Sequence, residues 1–174
     1  MNPAVVIAAL TVLAMLLIMA GEAVLSAFNE KLLRARGAIE PPGDVIGWMR
    51  WAYPSAFIAM GIEGSLTGPS SRDILMFGLA LLGLAKALKV WAISSLGSRW
   101  SYRVLVLPGV PLVTSGPYRF VSHPNYIAVV GEIVSVAMIV WAPITGTMAA
   151  IGFGSLMVSR IRIEDRALGR RSAE

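Results

Sequence analysis

The chain's one histidine, His123, sits in the run Ser122-His123-Pro124-Asn125-Tyr126, shortly after Ser115-Gly116-Pro117-Tyr118-Arg119. Proline suits the first position of a helix, where its missing N–H is not needed. It also pushes the residue before it out of the α region toward extended backbone. The spacing therefore puts His123 at the mouth of a helix, with Tyr126 about one turn further in. The free N–H groups and partial positive charge of a helix start favour an anion. An anion site at a membrane boundary is one reading. A belt of interfacial aromatic residues is the other, and chemistry alone leaves both open.

A second group is Arg160-Ile161-Arg162-Ile163-Glu164-Asp165-Arg166. On a helix, Arg160 and Glu164 share one face and Arg162 and Arg166 another. Arg before Glu is the weaker order for a pair within one helix, which leaves Glu164 for something outside it. A helix end whose arginines meet anionic lipid headgroups is the plainer alternative. A third group is Glu22, Lys86, Lys89 and Glu132, each inside an apolar run. At 1.5 Å per residue, Glu22, Lys89 and Glu132 fall roughly 10–12 Å from one membrane boundary, and Lys86 about 16 Å. Isolated charges at such depth are costly, so Glu132 is expected to face the bundle interior and pair with Lys89 or Lys86.

The elements that must position these groups are apolar. Of 174 residues, 56% are hydrophobic and only 14% charged, with mean hydropathy +0.72; a soluble domain carries roughly 25% charged residues. Ala4 to Phe28, apolar save for Glu22, is long enough to cross a bilayer and lacks the basic start of a signal peptide. Asn29 to Asp44 reads as a polar loop with the Pro41-Pro42-Gly43 breaker. Val45 to Leu66 is a weaker span, interrupted by Arg50 and Pro54, and Ile74 to Leu96 is the third. Gly97 to Asn125 is a long polar connection. Tyr126 to Ser159 is apolar for 34 residues, broken at Ala142-Pro143. That is too long for one span and short for two, so a tight hairpin of two short helices is expected, followed by a charged C-terminal helix from Arg160.

The expected fold is thus an all-α integral membrane protein of five transmembrane helices in a single domain, residues 1–96 forming the three N-terminal spans. Taking the loop after the first span as inside places Lys31, Arg34, Arg36, Arg99, Arg103, Arg119, Arg160, Arg162, Arg166, Arg170 and Arg171 inside, 11 of the 15 Lys and Arg, against Arg72 outside. This bias predicts the N-terminus out, the C-terminus in and the functional face cytoplasmic.

Several chemistries are disfavoured. The absence of cysteine removes disulfides, thiolate metal sites and a cysteine nucleophile, and a single histidine argues against a His-rich metal site. The net charge of +5 suits cytoplasmic loops better than nucleic acid. No Gly-rich loop follows a strand, so neither a P-loop nor a Rossmann nucleotide site is supported. The repeated halves with broken helices expected of a transporter are missing.

From Arg99 to Leu168 the chain resembles the isoprenylcysteine carboxyl methyltransferase family, membrane methyltransferases that use S-adenosylmethionine without a Rossmann domain. The resemblance rests on Leu112-Val113-Thr114-Ser115-Gly116-Pro117-Tyr118-Arg119 and on His123-Pro124-Asn125-Tyr126. It continues with Glu132 in the following helix and with Arg160, Glu164-Asp165 and Leu168. Ser122 stands where the family usually has Arg, and Glu164-Asp165 where it has Glu-Glu. The resemblance implies that residues 97–174 form the cofactor-binding core. It implies that His123, Tyr126 and Glu164 help hold S-adenosylmethionine, with the backbone of Leu112, Val113, Gly116 and Tyr118 around the adenine. Arg160 and Arg119 are the candidates for the substrate's acidic group, and Glu132 is the third candidate catalytic residue. By the same resemblance the protein lies among the lipids of a prokaryotic plasma membrane, without metal or nucleic acid.

Methyl transfer from a sulfonium is an in-line displacement with a good leaving group, so placement of the nucleophile dominates. A carboxylate or an acidic enol is already ionised at neutral pH and needs orientation by Arg. A phenol of pKa about 10, or an amine, gains from a base. The expected reaction is carboxyl O-methylation of a lipid-like substrate that enters from the bilayer. The run Arg103-Val104…Leu107-Pro108-Gly109…Pro111-Leu112 is similar to small bacterial members, some of which methylate alkylpyrones or alkylresorcinols. Phospholipid N-methylation is a third reaction, and a non-catalytic membrane scaffold is the non-enzymatic alternative.

Overall fold

The computed structural model describes residues 2–167. It consists of α1 (Pro3–Ala35), α2 (Ile46–Thr67), α3 (Arg72–Leu96), α4 (Pro124–Val140) and α5 (Pro143–Ala167), with single 3-10 turns at Gly97–Arg99 and Gly116–Arg119. Extended backbone pairs once among the described residues, where Ile39 bridges Val106. Three helical stretches, Pro3–Ala35, Arg72–Arg99 and Pro143–Ala167, are long and apolar enough to cross a membrane. The run of α2 is diluted by Arg50 and Glu63, and α4 is the shorter apolar helix.

The helix α4 is the column around which the rest stand; it touches all four of the others, and Glu132, Ile133, Val136 and Ile139 on it are buried. Small residues let the neighbours come close, the device membrane helices use where no hydrophobic drive separates protein from lipid. A Cβ on Gly64 of α2 would lie 2.1 Å from the Val140 carbonyl oxygen, and one on Gly146 of α5 would lie 2.3 Å from Ala137 Cβ. Phe57, Met60 and Met15 complete the apolar core against Ile133 and Val136.

The expected hairpin is present: α4 ends at Val140, Trp141 takes a left-handed φ of 55°, and α5 starts at Pro143. The two helices are antiparallel, since Ala137 meets Gly146 near the turn and Tyr126 meets Glu164 at the far end. At the turn end, Glu63 of α2 accepts the Ile144 and Thr145 amides at the start of α5, at 3.0 and 2.7 Å. The connections 36–45 and 97–123 gather at the opposite end.

Two expectations about element limits are corrected. The polar segment from Asn29 is not loop, because α1 continues to Ala35. No breaker occurs before Gly37, whose φ of 83° closes the helix in a Schellman arrangement with Ala38 N–H bonded to the Leu33 carbonyl at 3.0 Å. The charged tail is likewise no separate helix but the last turns of α5, which runs unbroken through Arg160 to Ala167. Leu168, Arg170 and Arg171 lie outside the described residues.

Candidate active site

The long connection after α3 is held down by the end of α1 and by the loop that follows it. Asn29 Nδ2 donates to the carbonyl of the buried Trp100 at 2.8 Å, and Ser26 Oγ accepts the Tyr102 amide at 2.8 Å. Asp44 accepts the Val104 amide at 3.2 Å. Arg103 pairs with Glu40 at 2.5 Å and with Glu30 at 3.5 Å. Burial alone would raise the Glu40 carboxyl, but its bonds from Arg34 and Arg103 outweigh that and hold it below the usual carboxylate range. Arg99 donates to the Pro111 carbonyl at 2.7 Å, folding the connection back on itself.

His123 precedes α4 with φ −132° and ψ 61°. Pro124 keeps it out of the α region, though ψ falls short of the extended value expected. Its ring stacks on Tyr126, centroids 5.4 Å apart. The end of α5 closes on this pair: His123 Nδ1 lies 3.5 Å from Glu164, His123 Nε2 lies 3.0 Å from Asp165, and the Tyr126 hydroxyl donates to Glu164 at 3.0 Å. Both ring nitrogens thus face carboxylates, an arrangement that only the doubly protonated imidazolium satisfies. Burial opposes that charge, but Glu164 and then Asp165 outweigh it and raise the His123 pKa above its ordinary value.

Two cavities adjoin these residues. One of about 190 Å³ lies between the long connection and the α4–α5 pair, bordered by Leu112, Val113, Tyr118, His123, Tyr126 and Glu164 among others. The other, of about 410 Å³ and mostly apolar, reaches into the bundle past Tyr53, Lys89, Val129, Phe153 and Met157. Tyr102, Arg103, Asn125, Tyr126 and Arg160 border both and form their common wall. Arg160 is buried there; its Nε lies 3.6 Å from Asp44 and its terminal nitrogen donates to the Tyr102 carbonyl. Asn125 Oδ1 and Arg160 Nε are buried without a hydrogen-bond partner. An acceptor and a cationic donor left over in one wall are what a ligand with polar groups of both kinds would satisfy.

Seven of the ten candidate residues border these cavities, and Glu132, Arg119 and Gly116 border neither. Arg119 is exposed and lies over the Phe120 ring at 4.8 Å. Gly116, at φ 61°, packs on α3, where a Cβ would fall 2.0 Å from Ser95 Oγ.

Glu132 is fully buried and pairs with both lysines, Lys86 at 3.0 Å and Lys89 at 3.3 Å. Glu22 joins them, 2.7 Å from Lys89 and 3.8 Å from Lys86. The hydroxyl of Tyr53 donates to Glu132 and that of Tyr102 to Glu22, the latter at 3.2 Å. Sequence reasoning missed Tyr53, Tyr102, Asn125 and Asp44. Asp44 carried a signal, an acid after Pro41-Pro42-Gly43 at a helix start, where it now accepts the Ile46 amide at 3.1 Å. The two tyrosines carried none, because only the packing of α1, α2 and the long connection brings them to the buried charges.

Comparison with known proteins adds an independent line. The model of the isoprenylcysteine carboxyl methyltransferase (ICMT) family matches residues 77–170. The match begins inside α3, so this helix, Lys86 and Lys89 included, carries family signal that sequence reading had not given it. An uncharacterized protein of Bacillus subtilis, YpbQ, is 31% identical over 86% of this chain and 89% of its own length. An uncharacterized protein of Haemophilus influenzae is 26% identical over 80% of this chain and 82% of its own. No solved structure matches the chain significantly.

Proposed function

The chain belongs to the isoprenylcysteine carboxyl methyltransferase family, and from that premise we propose that it methylates an acidic oxygen of a lipid-like substrate with S-adenosylmethionine, a carboxyl group being the first candidate. The observation that carries this reading is the closure of Glu164 and Asp165 on His123 and Tyr126 beside the smaller cavity. S-adenosylmethionine, when bound, would supply an electrophilic methyl group on a sulfonium.

The residues do the rest. Glu164 offers an acceptor for an ammonium, and His123, with both ring nitrogens on Glu164 and Asp165, holds that acceptor in place. The connection around Leu112, Val113 and Tyr118 would enclose an adenine. Arg160, whose Nε lies 3.6 Å from Asp44 without an aligned hydrogen bond, would orient an acidic oxygen entering from the larger cavity. Arg119, out on the surface, is the weaker candidate for that role. The apolar walls of the larger cavity suit a hydrocarbon tail. In this reading all five helices span the bilayer, with the N-terminus outside and the site on the cytoplasmic face.

Calorimetric titration of the purified protein in detergent with S-adenosylmethionine, with Glu164→Ala beside it, tests the proposal. Binding by wild type that is lost in the variant supports it. A folded wild type that does not bind, with or without lipid extract present, removes it.

A further inference from the structure

A carboxylate nucleophile arrives ionised and has no use for a base, yet the larger cavity ends on a set of buried ionisable groups. Glu22 of α1, Lys86 and Lys89 of α3, and Glu132 of α4 form one contiguous ion cluster, completed by Tyr53 of α2 and Tyr102 of the long connection. Charges at membrane depth are expensive and usually functional. Two acids and two lysines make this cluster neutral, so it offers no surplus cation to hold a permanent anion.

The groups are also accessible from the right side. Tyr53, Lys89 and Tyr102 border the larger cavity, and Tyr102 stands besides in the wall shared with the smaller one. Lys86 Nζ and Glu132 Oε1 are 3.0 Å apart, yet neither makes an aligned hydrogen bond, so this carboxylate keeps an acceptor position to spare. Burial first, then the charge and hydrogen bond of Glu22, push the Tyr102 phenol well above its ordinary pKa. It therefore does not rest as a phenolate, and its hydroxyl already donates to Glu22 at 3.2 Å.

We propose that this cluster is the proton acceptor of the reaction, reached through Tyr102, and that the substrate's nucleophile is a hydroxyl that arrives protonated. The inference rests on the methyltransferase reading and puts a hydroxyl in place of the carboxyl group named there as first candidate. The substrate O–H bond breaks; its proton goes to the Tyr102 oxygen while the Tyr102 proton goes to a Glu22 oxygen. The electron pair left on the substrate oxygen forms the new bond to the methyl carbon, and the pair of the broken carbon–sulfur bond stays on sulfur. A neutral hydroxyl, a sulfonium and a carboxylate thus become an ether, a thioether and a carboxylic acid, with charge conserved. Glu132, joined to Glu22 through the two lysines and to the cavity through Tyr53, shares the proton that results.

The test uses the full chain in detergent, a long-chain alkylphenol and a prenylcysteine as methyl acceptors, and the variants Y102F, E22Q and E132Q. Y102F leaves every charge in place, so it stays informative if a charge-removing variant does not fold. Y102F should lower turnover of the alkylphenol at pH 7 by about 100-fold or more, the usual scale of general-base catalysis. It should regain rate as pH approaches about 10, where a phenol ionises unaided, while affinity for S-adenosylmethionine stays unchanged. A second readout needs no turnover: a long-chain alkyl nitrophenol, binding to wild type, should raise an infrared band of protonated carboxyl that E22Q or E132Q lacks. The proposal falls if that band is missing in wild type, if Y102F turns over the alkylphenol at the wild-type rate, or if only the prenylcysteine is methylated. Failure of wild type to bind S-adenosylmethionine would instead remove the methyltransferase reading.

Discussion

At the residue scale, His123 is defined by what faces it. Its pKa is raised, so the stability it lends is fully present below the unfolded value of about 6.5 and is lost as pH rises through the folded value. The thermal midpoint of wild type in detergent should therefore fall relative to that of His123→Gln between about pH 6 and pH 8. A constant gap between the two across this range would show that the fold does not raise the His123 pKa. Cofactor affinity tests the same cluster. His123→Ala and Glu164→Ala should each weaken S-adenosylmethionine binding by about 10- to 100-fold, the worth of one charged hydrogen bond, with the fold retained. Unchanged affinity in both would place the cofactor elsewhere.

At the element scale, the α4–α5 hairpin decides whether Glu164 reaches His123 at all. Its turn is pinned by Glu63, which caps the start of α5 with two backbone bonds and one to the Thr145 hydroxyl. Glu63→Ala should cost about 1 kcal/mol, the usual worth of an N-terminal cap, seen as a fall of roughly 2–4 °C in thermal midpoint. A midpoint within error of wild type would mean that the amides find other partners. The hairpin also accounts for the length of the apolar stretch from Tyr126. Two helices of unequal share, one surrounded by the other four, need fewer residues than two independent spans.

At the scale of the whole molecule, the five helices alternate in direction, and every residue of the candidate site lies toward the end where α1 stops and α4 starts. The described basic side chains follow the same asymmetry: Arg72 stands alone at the opposite end, at the start of α3. The chain has no cysteine, so single-cysteine variants report topology directly. Ser71→Cys should react with a membrane-impermeant thiol reagent from outside intact cells, and Ser115→Cys only after the membrane is opened. Labelling of both from the same side would contradict five spans in this orientation.

The sequence alone determined what local patterning controls. Apolar runs of bilayer length, Pro124 and Pro143 at helix starts, the shared helix face of Arg160 and Glu164 and the charge asymmetry of the loops are all read along the chain, because each reflects the chain's own solvent. Even the pairing of Glu132 with the lysines followed from the cost of burying charge. The sequence could not say where α1 ends, because Asn29 to Ala35 is as polar as a loop and is kept helical by its Schellman end and its bonds to the long connection. Nor could it show that Tyr102 and Glu22, eighty positions apart, stand together, or that Arg160 turns from the Glu164 face toward Asp44 and the Tyr102 carbonyl. Those contacts join segments with no common periodicity, so only the packing of the other four helices around α4 decided them.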